Sequence, residues 1–365
     1  MSVINLAVGA PFYGGFKQVT SAPDWDGVIT TQGVLLGSGD GLEILPTGVP
    51  MTKLGFVEDN SLNSTGVQRK RQLRTIDCEG SIQVLCRYRG CERLIFGWFG
   101  TDTMTGPTDT VVYTHKATIN TINKGNIFNF AAYDNLVCRD FPVCKVEHLK
   151  MEFAENTLSV LEAGLVAKRE LQDGSGLNTT STITSVTLPS PKEYVVLSAA
   201  STVLRMKTVT GSETALGSND ILYPSKISLT FARKYKKRRS TRNNPYIDEP
   251  VAGAWFLIGG SFTLPIDDAT AYWTDIVGAS EKKMDITFTG GAIAGSASSF
   301  YTWLFEYPSM IIESGGLPNI NTPDLLEVTF PFTAHRADAN PGGMSFQLPQ
   351  FTCKNLVSTS FLNGG

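Results

Sequence analysis

Charge, histidine and long apolar runs are all scarce in this chain of 365 residues, and each scarcity excludes something. Charged residues make up only 18% against 42% hydrophobic, which excludes a self-repelling disordered chain. It also points to a polar surface that meets neighbouring subunits as much as water. The formal net charge is −3, so the surface as a whole is not built to grip nucleic acid or an anionic membrane. No apolar run approaches the roughly 20 residues that span a bilayer. The opening MSVINLAVGAPFYGG has neither a basic n-region nor a proper apolar core. No secretory signal and no membrane anchor are therefore expected, and the protein is expected to be soluble and made in the cytoplasm.

Only three imidazoles are present, His115, His148 and His335, and the first two fall in strand-like runs without a nearby nucleophile motif. The fingerprints of serine hydrolases, zinc proteases, phosphate loops and dinucleotide folds are all missing. LGSGDGLE (36–43) lacks the glycine order and the following helix of a binding loop and reads as a plain turn. Asp248-Glu249 and Asp267-Asp268 are adjacent carboxylates in loops and read as solvated turn residues. The six cysteines, Cys78, Cys86, Cys91, Cys138, Cys144 and Cys353, match no common zinc spacing and are expected as small, buried, reduced side chains. The expectation is a non-enzyme with no catalytic residues, no cofactor and no metal.

What is abundant is β-strand pattern. Scattered Gly (35) and Pro (18) separate short runs rich in Val, Ile, Thr, Phe and Tyr, such as VVYTHKATI (111–119), KISLTFA (226–232) and LLEVTFPF (325–332). Two short stretches read as helices. The class is mainly β, a sandwich or barrel with one short helix in each of two domains.

The domain count rests on an internal repeat. Gly80-Ser81-Ile82 leads into CERLIFGWFG ending at Gly100, and Gly260-Ser261-Phe262 leads into ATAYWTDIVG ending at Gly278, offsets of 260 − 80 = 180 and 278 − 100 = 178. Leu94, Ile95, Trp98 and Phe99 in the first match Tyr272, Trp273, Ile276 and Val277 in the second, one apolar stripe on each helix. The flanks extend the match: KLGFVE (53–58) with KISLTF (226–231), FNFAAYDN (128–135) with TWLFEYPS (302–309), and Leu149–Phe153 with Leu326–Phe330. A tandem duplication is expected, with a first domain at 1–172, a Gly, Ser, Thr and Pro-rich linker at 173–189, and a second domain at 190–365, each with its own core.

One local feature stands out against the low overall charge. Arg233, Lys234, Lys236, Lys237, Arg238, Arg239 and Arg242 crowd into FARKYKKRRSTRNN, and Arg69, Lys70, Arg71 and Arg74 form a milder run before the Gly-Ser strand of the first half. Phosphate contact, a solvated loop and a contact with an acidic face of a neighbouring subunit are the three readings. Contact between subunits or stacked rings is preferred, because both runs occupy a long connection after a strand.

The order of these segments resembles the tail tube, or major tail, proteins of long-tailed, siphovirus-type bacteriophages. The segments that carry the likeness are the polar stretch through the Gly-Ser strand and helix (57–100), YTHKATI (113–119), NIFNFAAYDN (126–135) and KVEHLKMEFAENTLSVLEAGLVAKREL (145–171). The resemblance implies two tandem tail-tube-type β-sandwich/barrel domains, each with one short flanking helix. It implies subunits that join edge to edge into rings, rings that stack into a tube in the virion tail, and a conduit for DNA during ejection. Implied partners are the protein itself, the tape measure protein, the tail tip and tail terminator proteins, and transient non-specific DNA in the lumen. A duplicated chain would fill six places with three copies, a trimer of pseudo-six-fold symmetry. The lumen is expected neutral to acidic, with the basic runs away from it or at ring seams. Other readings are a different virion subunit (head–tail connector, distal tail or capsid-associated protein) and a nucleic-acid-binding module centred on 233–242.

Overall fold

Alternation decides which face of each strand goes inward. In Lys226–Ala232, Ile227, Leu229 and Phe231 are buried and every residue between them is at least partly exposed, the period of two that a half-covered strand requires. The structure, a computed structural model, describes residues 13–19, 25, 35–45, 50–57, 72–133, 137–172, 178–190, 192–239, 246–253, 255–265, 278–296, 298–313 and 327–362.

The first half carries β1 (Tyr13–Gln18), β2 (Gly41–Glu43), β3 (Met51–Val57), β4 (Gln72–Leu85), helix α1 (Glu92–Phe99), β5 (Thr103–Thr108) and β6 (Val112–Ala117). It continues with β7 (Phe128–Tyr133), β8 (Cys138–Ala154), β9 (Val160–Ala167), β10 (Leu171–Gln172) and helix α2 (Thr180–Ser185). The second half carries β11 (Thr202–Thr208), β12 (Ile221–Leu222), β13 (Lys226–Ala232), β14 (Tyr235–Lys236), β15 (Val251–Ala252) and β16 (Leu257–Pro265). It ends with β17 (Lys282–Ala292), β18 (Phe300–Ile312), β19 (Glu327–His335) and β20 (Gln350–Asn355). The protein is mainly β, and among the described residues all strands but β14 and β15 belong to one antiparallel network of 18.

The two halves lay their strands in the same order. In the first, neighbours run β2–β1–β7–β8–β9–β4–β3, with β10 added to β8. In the second they run β12–β11–β17–β18–β19–β16–β13, with β20 added to β18. Two of the sequence matches are corrected by this pairing. The run at 128–135 lies on β7, whose counterpart is β17 and not β18, and the run at 149–153 lies on β8, whose counterpart is β18 and not β19. The physical reason is the β5–β6 hairpin, which the first half inserts between α1 and β7. Beyond it the offset between strand starts falls to 282 − 128 = 154 and 300 − 138 = 162, so a constant offset near 175 slides each match over by one strand.

Two seams join the halves. β13 adds to the free side of β8, with Lys226 opposite Ala154 and Ala232 opposite His148, and β20 lies between β18 and β6. The core crosses both seams: Trp98 meets Phe231 at 5.3 Å between ring centroids, Phe153 stacks on Phe288 at 4.4 Å, and Phe96 meets Phe351 at 5.6 Å. One continuous apolar cluster therefore runs from Phe16 to Leu362, where the sequence led us to expect a separate core for each half. Part of the expected linker is also packed. Asn178 is buried, donating to Asp140 at 2.9 Å and accepting from the Leu36 N–H at 2.9 Å, and α2 buries Ile183 against the first half.

Helix α1 forms where an apolar stripe meets a glycine stop. Leu94, Ile95, Trp98 and Phe99 are all fully buried. Gly100 takes φ +86° and donates to the Phe96 carbonyl at 2.8 Å, and a Cβ there would lie 2.6 Å from Asn123 Oδ1, so the position is reserved for glycine. The matching stripe, Tyr272, Trp273, Ile276 and Val277, lies outside the described residues.

Candidate assembly interface

The basic run leaves β13 and crosses onto the first half as an extended strand, so its side chains alternate between two sides. On the inner side Arg233 is fully buried. Its guanidinium donates to the carbonyls of Trp98 at 2.8 Å, Phe99 at 3.4 Å and Asn120 at 2.6 Å, and lies over the rings of Trp98 and Phe256. The first two carbonyls lie at the C-terminus of α1, past the reach of intrahelical donors, and Phe99 also accepts from the Asn120 N–H at 2.7 Å; a cation there meets the negative end of the helix dipole. Burial lowers the pKa of Arg233, yet a guanidinium stays charged.

Tyr235, next on the inner side, accepts from Asn123 Nδ2 at 2.9 Å, and burial pushes its hydroxyl up to about 12. Lys237 and Arg239 then pair with Glu79 and Asp77 on β4. The hydrogen bond from Lys237 holds the Glu79 carboxyl below its ordinary value. Further along the same connection, Glu249 receives Lys145 Nζ at 2.6 Å and the Gly125 N–H at 2.8 Å. Burial lowers the pKa of Lys145, and Glu249 opposes that shift. This corrects the reading of Asp248-Glu249 as solvated turn residues: Glu249 answers a cation whose side chain is wholly buried.

On the outer side Lys234, Lys236 and Arg238 are exposed and make no ion pair among the described residues. The basic run thus divides into an inner row that clamps the two halves together and an outer row that faces away. For Arg233 the structure differs from the subunit-contact expectation, because its guanidinium is enclosed by its own chain. Arg69, Lys70, Arg71 and Arg242 lie outside the described residues, as does the side chain of Arg74, whose backbone belongs to β4.

A second candidate surface is β3. It pairs with β4 alone among the described residues; on its outer edge no other described strand adds, and the Thr52 N–H donates to the Glu170 carboxylate at 3.3 Å. Met51 and Leu54 are 55% and 52% exposed there. Its counterpart β13 is paired on both sides, by β16 and by β8. An open edge is a template for another strand.

Sequence reading missed the buried pair His115–Asp102, because the partners stand on opposite sides of the β5–β6 hairpin. His115 Nδ1 meets Asp102 at 3.1 Å, and Asp102 accepts from Ser360 Oγ at 2.9 Å and the Phe361 N–H at 2.6 Å. The residue types are those of a hydrolase triad, but the order is not. The serine bonds the carboxylate, and His115 Nε2 faces the Val357 carbonyl at 2.9 Å, so no nucleophile stands where the imidazole would take its proton. The pair pins the segment 357–361 instead. Glu92, at the start of α1, is also buried, which raises its carboxyl to about 7. All six cysteines are buried free thiols, and no metal-binding cluster occurs among the described residues.

A sequence profile described as phage tail tube protein matches residues 27–334, one span that crosses both halves and both seams. The chain belongs to the phage tail tube protein family. No curated protein matches it. Among solved structures, one titled "Crystal structure of Hcp protein" is similar over 37% of this chain and 90% of its own, at 11% identity and a TM-score of 0.25, a likeness too slight to inform the fold. The family is one of structural virion components, and no helix among the described residues of this tail tube protein is long and apolar enough to cross a membrane.

Proposed function

We propose that this tail tube protein is the ring-forming subunit of a long, siphovirus-type tail, three copies to a ring, with rings stacked into the conduit that DNA follows at ejection. The observation that carries this reading is the repeated strand order together with the β8–β13 seam. Within one chain, the second half adds its outer strand to the first half. The first half offers the counterpart of that strand, β3, which among the described residues has a strand on one side only. Carried forward, β3 of one copy adds to the β18 side of the next, and three copies close a ring of six similar places. The same repetition favours a tandem duplication, with domains at 1–172 and 190–365, as its origin.

In this reading the protein is no enzyme and works by its shape. Its partners are further copies of itself, the tape measure protein in the lumen, the terminator and tip proteins at the tube ends, and passing DNA that it holds only weakly. Assembly takes place in the host cytoplasm, before the tail joins the virion.

Electron microscopy and mass measurement of the purified protein at rising concentration test the proposal. Rings with a central hole are expected, at three times 39.6 kDa, about 119 kDa. Stable rings of six chains would overturn the three-copy reading. Hole-free monomers at high concentration would overturn the tube reading itself.

A further inference from the structure

β8, β13, β16 and β19 lie side by side, and the two ends of β13 mark the two ends of the stretch they share, past one of which β8 continues from His148 to Cys138. At one end Lys226 stands opposite Ala154 and Thr263, and Thr263 opposite Thr329. At the other, Ala232 stands opposite His148 and Leu257. Seven residues of extended chain separate the two ends by about 20 Å.

The chemistry of the two ends is opposite. Beyond Ala232 emerges the outer row of Lys234, Lys236 and Arg238. β15 returns alongside, the Gly253 N–H donating to the Lys234 carbonyl at 2.8 Å, and two residues later Trp255 stands 96% exposed. An indole left almost wholly in water near three cations that make no ion pair among the described residues is the composition of an interface centre, where Trp and cationic side chains meet a partner. Beyond Lys226 the surface is acidic and apolar. The β8–β9 turn exposes Glu155 and Leu158, the approach to β13 exposes Tyr223 at 64%, and Glu327 opens β19 two residues past the Thr263–Thr329 pair. Glu155 and Glu327 make no ion pair among the described residues, and Lys226, the cation at this end, lies within electrostatic reach of Glu152.

We propose that these ends are the two sides of one head-to-tail contact between copies of this chain. The cation and indole end of one copy seats on the carboxylate and tyrosine end of the next. The inference rests on the tube reading and names the surfaces by which rings stack. A contact between two different patches of one chain does not satisfy itself in a pair, so it propagates as an open polymer, which a tube requires. With a net charge of only −3, long-range repulsion between copies is weak and local complementarity sets the docking.

Charge exchange tests it. Three variants are compared with the wild type by electron microscopy and sedimentation: K234E/K236E/R238E, E155K/E327K, and a chain carrying both sets. Each set alone is expected to abolish tubes and raise the concentration needed for polymer by at least about tenfold, while the combined chain regains tubes because the two ends match again. W255A, at a side chain that touches almost nothing in the free chain, is expected to lose tubes and keep the wild-type melting temperature. Wild-type tubes from either set alone, or no recovery in the combined chain, would overturn the contact and leave the tube reading standing. A wild type that forms neither ring nor tube would overturn both. Salt-sensitive retention on duplex DNA that the triple variant loses while its tubes persist would overturn the contact and assign the outer row to phosphate.

Discussion

A buried guanidinium destabilises a fold unless its donors find acceptors and its charge finds compensation. Arg233 meets most of the condition: its two terminal nitrogens donate to three carbonyls, two of them at the end of α1, and two aromatic faces lie against the charge, while its Nε is left without a hydrogen-bond partner. Six positions further along the same connection, Arg239 makes an ion pair with Asp77 in which both side chains are 31% exposed. The two arginines therefore carry different weight. R233M is expected to lower stability by about 2–4 kcal/mol, because it strands buried acceptors and frees the α1 terminus. R239M is expected to change it by less than about 1 kcal/mol, since water replaces an exposed pair at little cost. Urea titration at constant slope compares them. Equal shifts in midpoint would mean that Arg233 is not the clamp described.

At the scale of the element, the outer edge of β3, which no described strand pairs, is the feature that a ring has to cover. Met51 and Leu54 contribute little to the isolated chain, because half of each is already in water. M51E/L54E is therefore expected to leave urea stability within about 0.5 kcal/mol of the wild type and to keep the protein monomeric where the wild type forms rings. Rings of normal mass from this variant would show that the edge is not the lateral contact. The strands were legible in the sequence because alternation writes burial directly into residue order, as in β13. Their correspondence was less so, since one half-buried strand looks like another and the β5–β6 hairpin displaces the count. Helix α2 left almost no mark, because TSTITS buries only Ile183 and takes its start from the Thr179 side chain accepting from the Thr182 N–H. Of the interface, the sequence showed that Arg and Lys cluster at 233–242. It did not show which way they face, which depends on β14 being extended. Nor did it show Lys145 beneath Glu249, 104 positions away in the chain.

At the scale of the whole molecule, the repeat in strand order and the unity of the core pull in different directions. Two copies of one strand order lead one to expect two folding units, each closing over its own apolar face. Here the faces are shared. β13 completes the sheet of the first half, the β5–β6 hairpin completes that of the second through β20, and Trp98, Phe153 and Phe96 pack against Phe231, Phe288 and Phe351 across the seams. Separating the halves would expose those rings, unpair β8 and β20, and leave Lys145 buried without Glu249. None of these losses is local, so the two halves are expected to open together. Calorimetry of the monomeric chain is expected to record a single cooperative transition, with equal calorimetric and van't Hoff enthalpies. R233M, which loosens the clamp between the halves, is expected to move that transition down without splitting it. Two resolved transitions in the wild type would mean that the repeat also divides the molecule energetically, and that the seams join modules able to stand alone.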